Sequence, residues 1–227
     1  MSESTVNVEG EEDQGILTSL RHYDAIRLAA SDSVVRREGS NVDVFTDPTN
    51  GDEEIALCHL SSILPFTTGD HAPFRVAFED TYSIALAVHH LNTGDGSIVP
   101  ELRGLNGRCP VRFAAEFADT EFAGGATLRH VVDQTGRGDD DDDPTQRLPC
   151  AFIGAYRSAV SIPMSIVTGL LGYPQISGAS TSAELDDKTQ YPLFGRTLPS
   201  DAGNAIPLII YLRQVMRCGS DTWSSST

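Results

Sequence analysis

From residue 55 onward, short apolar runs alternate with longer periodic segments. IALCHLSSILPF reads as a strand closed by Pro65 and the turn-forming TTGDHAP. Residues 74–91 then set Val76, Tyr82, Ile84, Leu86, Val88 and Leu91 among polar positions at roughly helical spacing. The pattern stops before Asn92, Thr93 and Gly94, which predicts one long helix. CPVRFAAEFAD has strand character, EFAGGATLRHVVDQ helical character, and PCAFIGAY is a short all-apolar strand. SAVSIPMSIVTGLLG follows as a helix, with Pro163 expected in the first turn and Gly172 as the stop. YPQISGAS is a fourth strand, TSAEL a turn with Thr181 and Glu184 at capping-box spacing, and PLFGRT a fifth strand. DAGNAIPLIIYLRQVMR is a last helix, started by Ser200 or Asp201.

Strict alternation of strands and helices implies an α/β fold, a doubly wound parallel sheet with helices on both faces. Residues 1–54 have weaker periodicity, with one amphipathic candidate, ILTSLRHYDAIRLAA, and a polar stretch ending in TDPTNGDEE. They read as an N-terminal extension, partly disordered, ahead of a domain over 55–227. A chain of 227 residues suffices for one such domain and falls well short of a two-lobed binding protein.

The net charge of −16 disfavours a nucleic-acid surface, which needs a Lys/Arg stripe that is not visible here. Five consecutive carboxylates, Asp139 to Asp143, account for part of that charge. They read as a solvated loop, because a calcium loop alternates ligands with spacers and needs a Gly at its turn. No apolar stretch reaches membrane-spanning length. The N-terminus is acidic and polar where a secretory signal is basic and then apolar, so the sequence reads without a signal peptide, and it holds no Asn-x-Ser/Thr sequon.

The four cysteines, Cys58, Cys109, Cys150 and Cys218, are too far apart for a zinc knuckle. Cys58 and Cys150 each fall in a strand-like run, as small buried hydrophobes or as partners in a disulfide. No metal or other cofactor is expected. There is no GxGxxG after the first strand, no P-loop, no GxSxG elbow, and no histidine at catalytic spacing, so the sequence is not read as an enzyme.

In parallel sheets, ligands collect beyond the carboxyl ends of strands, where helix N-termini present free N–H groups. IGAYRSA and ISGASTSAEL are the two small, hydroxylated junctions of this kind. They present Ser158, Ser180, Thr181 and Ser182 as a cradle for a carboxylate or phosphate, or simply as helix caps.

The run IGAYRSAVSIPMSIVTGLLGYPQISGASTSAELDDKTQYPLFGRTLPSD resembles the ligand-binding region of class C G-protein-coupled receptors. That family includes the metabotropic glutamate and type B γ-aminobutyric-acid receptors. The pieces IG with Ser-x-Val, PQIS, and STSxxLxDKTxYPxFxRTxPSD stand in family order and spacing. SSILPF, AFEDTYSIALAVHHLN and VRFAAEFADTEFAGGATLRHVVD extend the likeness back to about residue 55. CGSDTWSSST is similar to the family's crossing into its second lobe.

The resemblance implies lobe I of a periplasmic-binding-protein-like module, in a cell-surface receptor for an amino-acid-like molecule coupled to G proteins. It implies dimerisation through lobe I helices, residues 74–91 among them, and a membrane attachment through segments outside this chain. Alternatives are the sensor of a receptor guanylate cyclase and a truncated fragment without independent function. Ser158 corresponds to the serine that holds the ligand's α-carboxylate. Thr181, with its neighbour Ser182, corresponds to the hydroxyl-bearing loop at the head group, and Asp201 to an acidic residue directed at the ammonium. Three positions depart from the pattern: Asp80 stands where glutamate-sensing members carry an Arg, Arg157 where a small residue is usual, and Ala179 in place of a serine. The disulfide usual near the second strand has no matching partners.

Overall fold

A computed structural model describes residues 54–136 and 148–217, together with the strand backbones at Val35–Arg36 and Asp43–Thr46. The amphipathic candidate near the N-terminus, the acidic run 139–143 and the tail 218–227 lie outside the described residues. The strands are β1 (Val35–Arg36), β2 (Asp43–Thr46), β3 (Glu54–Leu64), β4 (Val111–Asp119), β5 (Ala151–Ile153), β6 (Gln175–Ser177) and β7 (Phe194–Arg196). The helices are α1 (Arg75–Thr93), α2 (Gly124–Gly136), α3 (Ser158–Leu170) and α4 (Asp201–Gln214).

Five strands form a parallel sheet in the order β4-β3-β5-β6-β7, the α/β architecture expected from the alternation. β3 is its centre: one edge pairs with β4 from Ala56↔Val111 to Leu64↔Asp119, and the other carries β5 at Leu60↔Ala151. The amino-terminal part of that second edge is taken by β2, antiparallel, with Val44 opposite Ala56 and Asp43 opposite Leu57. β2 therefore lies within the stretch read as an extension, yet adds to the same sheet.

Between the segments held by β2 and β5 sits Cys58, which forms a disulfide with Cys150 across 92 residues of chain, Cα to Cα 5.3 Å. Of the two readings left open for these cysteines, the structure has the bonded one. Cys109 is the free cysteine among the described residues.

Successive β3 residues point to opposite faces, as strand geometry requires. Ile63 packs with Val131 of α2, Phe152 of β5 and Val160 and Met164 of α3. Leu64 packs on the other face with Phe66 and α1's Ala77, flanked by Phe78, Ile84 and Phe117. Thus α1 covers one face and α2 with α3 the other. Asn92, near the end of α1, donates to the Phe113 carbonyl (2.7 Å) and accepts from its N–H (2.8 Å), so a side chain replaces a strand neighbour along β4.

Two local expectations need correction. Pro163 falls in the interior of α3, since the helix begins at Ser158. The start is displaced because Ser161 is already tied into the loops beneath it, its hydroxyl bonding to the Ala155 carbonyl and to Ser180. The short helical turn Ala183–Asp186 is capped by Ser182, whose side chain accepts from the Glu184 N–H, and not by Thr181. Gly172, at φ +83°, ends α3 as expected, with Tyr173 N–H returning to the Thr168 carbonyl. Ser200 is the N-cap of α4, accepting from Gly203 N–H at 3.1 Å.

Candidate functional site

The carboxyl ends of β5, β6 and β7 converge on the loops that follow them. At the end of β5, Gly154 has φ +125°, and a Cβ there would run into the Ile63 carbonyl, so only glycine admits this turn against β3. The next carbonyl, that of Ala155, is a hub. It accepts from Ser177 Oγ (2.8 Å), Ser161 Oγ (3.0 Å) and Ser180 Oγ (3.3 Å), and all three serines are buried. Serines on β6, its loop and α3 thereby fix the β5 loop, the β6 loop and the start of α3 to one point. Gln175 adds a bond from Nε2 to the Gly154 carbonyl at 2.8 Å.

The 180–182 loop is held from its other side. Arg196 at the end of β7 donates through Nη1 to the Ser180 carbonyl (3.2 Å) and the Ser182 carbonyl (3.0 Å), and through Nη2 to the Asp186 carboxylate. The Thr181 carbonyl accepts from the Asp201 N–H at 2.8 Å. All three loop carbonyls are therefore consumed by β7 and α4, so the carbonyls are directed away from α3. A hydrogen bond from Ser200, and then the Arg196 guanidinium, hold the Asp186 carboxyl below its ordinary value.

Toward α3, the Ser182 N–H donates to Ser158 Oγ at 3.1 Å. Ser158 is the first residue of α3, where backbone N–H groups have no intrahelical partner. The Thr181 hydroxyl and N–H make no hydrogen bond among the described residues. Ser158, Thr181 and Ser182 are each half-buried, a position from which solvent or a small ligand can reach them. The four residues singled out from sequence fall in one loop cluster: Ser158 is joined to Ser182, and Thr181 to Asp201 through the backbone. Asp201 is exposed, at the first turn of α4, and its carboxylate bonds to none of the other three.

Several contributors were not singled out from sequence. Tyr156 stacks edge-on with Phe74 (5.4 Å between centroids), and Phe74 with Phe122 (4.9 Å), forming an aromatic wall from the start of α1 to the β5 loop. Arg157, noted only as a departure, lays its guanidinium over the Phe122 ring at 4.1 Å and stands next to Ser158. Arg196 was quoted within a motif but given no role. An Arg one residue beyond a glycine in a short strand was the available signal, and its loop partners lie 10 to 16 residues away, where periodicity says nothing.

Beside this cluster, between α1 and the sheet, runs a groove of about 540 Å³ lined by Leu64, Asp80, Ile84, Ile153, Ile176 and Thr197, among others. Asp80 carries a raised carboxyl pKa, from burial first and from neighbouring Glu79 second. Among the described residues no group of three or more His, Cys, Asp or Glu is placed to hold a metal ion, and no helix is long and apolar enough to cross a membrane.

Comparison with known proteins places this geometry in context. Residues 110–206 match the family model described as receptor family ligand binding region. Metabotropic glutamate receptor 6 of Oryctolagus cuniculus and that of Rattus norvegicus are each 41% identical over 70 residues, 31% of this chain and 8% of theirs. A metabotropic glutamate receptor of Drosophila melanogaster is 39% identical over 61 residues, 27% of this chain and 6% of its own. The matched part thus spans less than a tenth of these relatives, and the likeness to a class C receptor ligand-binding domain holds over that part.

Proposed function

We propose that this chain, whose residues 110–206 carry a receptor-family ligand-binding region, is lobe I of a cell-surface receptor and seats a small amino-acid-like molecule on the Ser158 and Thr181 loops. The observation that carries the reading is the bond from Ser182 N–H to Ser158 Oγ. It sets the open N–H groups at the start of α3 beside the unengaged hydroxyl and N–H of Thr181, on loops that Arg196 and three buried serines hold in place. Such neutral donors at a helix N-terminus suit a carboxylate. Arg157, on the rim at Phe122, adds a positive charge of the right sign. Asp201 supplies a carboxylate for an ammonium, the second charge of an α-amino acid.

The site is one-sided, so a second lobe closing over the ligand completes it, and closure is relayed through a dimer in which α1 takes part. G-protein coupling and membrane attachment then belong to segments beyond this chain. The Cys58–Cys150 disulfide is in keeping with an extracellular, oxidising location. The test is thermal denaturation with a panel of the twenty α-amino acids. A ligand at 100 times its Kd stabilises by about 2.7 kcal/mol, which raises Tm by roughly 5–10 °C in a domain of this size. No shift with any amino acid at millimolar concentration contradicts the amino-acid reading.

A further inference from the structure

The groove between α1 and the sheet carries a negative charge without a counter-ion among the described residues. Asp80 is the charged residue of its lining, and the other lining residues are apolar, glycine or hydroxyl-bearing. Asp80 is half-buried and makes no hydrogen bond or ion pair among the described residues. Arg75, the one Lys or Arg of α1, is paired with Glu79 at 3.2 Å on the exposed side of the helix. Burial and Glu79 therefore act on Asp80 with no cation to offset them, and its carboxyl pKa is raised. A carboxylate partly withdrawn from water gains most from a cation that comes to it.

The place of Asp80 in the fold ties it to the proposed ligand site. Parallel strands end, and the helices that follow them begin, at the same edge of the sheet. α1 starts at that edge, and Asp80 lies in its second turn. Tyr156 and Ala179 line the same end of the groove, two residues before Ser158 and two before Thr181. Gly154, Ala155 and Gly178 line it there too, with little side-chain bulk. A Cβ on Gly178 would meet only Thr197 Oγ1, at 4.0 Å, so an aliphatic chain has room beside it.

Resting on the amino-acid reading of Ser158, Thr181 and Asp201, we propose that the ligand is a basic α-amino acid, whose aliphatic stem enters this end of the groove and whose distal cation pairs with Asp80. The Ser158 loop and Asp201 already match an α-carboxylate and an α-ammonium, so Asp80 is a further carboxylate, for a second positive group. A side chain like that of lysine or ornithine suits both features of the groove. Its methylenes cover Leu64 and Tyr156 while its head reaches the carboxylate. An acidic side chain brings a second negative charge toward Asp80, and a neutral aliphatic one leaves the carboxylate unpaired. Asp80 thus selects by repulsion as well as by attraction.

Isothermal titration calorimetry on the whole chain tests this with lysine, with norleucine, which lacks the distal amine, and with glutamate. Lysine is expected to bind the unaltered chain at least tenfold more tightly than either of the others. In Asp80→Asn, which removes the charge and keeps the shape, that preference falls to threefold or less while the Kd of norleucine is unchanged. Ser158→Ala weakens lysine and norleucine alike and keeps the preference, which separates the head-group site from the groove. Lysine binding no tighter than norleucine or glutamate, or a lysine preference that survives in Asp80→Asn, overturns the proposal and leaves the amino-acid reading standing. Failure of all twenty α-amino acids to bind overturns that reading and this inference with it.

Discussion

Ser182 donates its backbone N–H to the hydroxyl oxygen of Ser158, 3.1 Å away, and this bond joins the loop after β6 to the first turn of α3. The Ser158 oxygen is thereby used as an acceptor, which leaves its proton to point elsewhere. A hydroxyl fixed from one side and free to donate on the other is well suited to a carboxylate, whose oxygens only accept.

The same loop depends on Arg196. Replacing it with Met removes donors from the Ser180 and Ser182 carbonyls and from Asp186 at once. Hydrogen bonds to charged groups contribute about 1.5–3 kcal/mol, so urea unfolding of Arg196→Met is expected to lose about 2–3 kcal/mol. Arg196→Lys recovers only part of the loss, because one ammonium cannot reproduce the planar fork that reaches all three acceptors.

The Cys58–Cys150 disulfide closes 92 residues. Chain entropy alone makes such a loop worth about 4.5 kcal/mol to the folded state. Unfolding in the presence of a reductant, or of Cys150→Ala, is expected to fall by about 3–5 kcal/mol. An unchanged midpoint in urea contradicts the pairing.

Asp80 gives a pH signature. Burial and Glu79 raise its folded-state pKa, so the ionised carboxylate costs stability above that raised value. The cost is relieved as pH falls through the folded pKa, and it is gone below 3.8, the ordinary value, where folded and unfolded chains are both protonated. Asp80→Asn is therefore expected to raise Tm at pH 7, with an advantage that shrinks on acidification and disappears below 3.8. A constant difference in Tm from pH 3 to 7 contradicts this account.

The parallel sheet was legible because β5 is an apolar run, β3 is an apolar run interrupted only by His59, Ser61 and Ser62 between Ile55 and Leu64, and α1 keeps a 3.6-residue period, all set by local chemistry. What the periodicity left open depended on distant partners. Ser182, not Thr181, caps its turn, its hydroxyl accepting from the Glu184 N–H in a loop whose carbonyls are held by Asp201 and Arg196. Pro163 sits inside α3 because Ser158 and Ser161 tie the helix start to loops 19 to 24 residues ahead. β2 was missed as a sheet strand because its segment lacks an apolar run of its own and is recruited by the open edge of β3. Of the site, Ser158, Thr181 and Ser182 were singled out at two strand-to-helix junctions, and Asp201 through the family resemblance alone. Arg157 on Phe122 and the aromatic wall at Tyr156 required the fold.

The central claim is ligand binding at Ser158, and the decisive quantity is the ligand-induced rise in Tm in Ser158→Ala compared with the unaltered chain. Losing the bond from Ser182 lowers the baseline Tm by itself, at about 1 kcal/mol, so only the increment caused by ligand is informative. The account predicts that an α-amino acid which raises Tm in the unaltered chain has its apparent Kd weakened at least tenfold by Ser158→Ala. An equal increment in both proteins at every ligand concentration contradicts it.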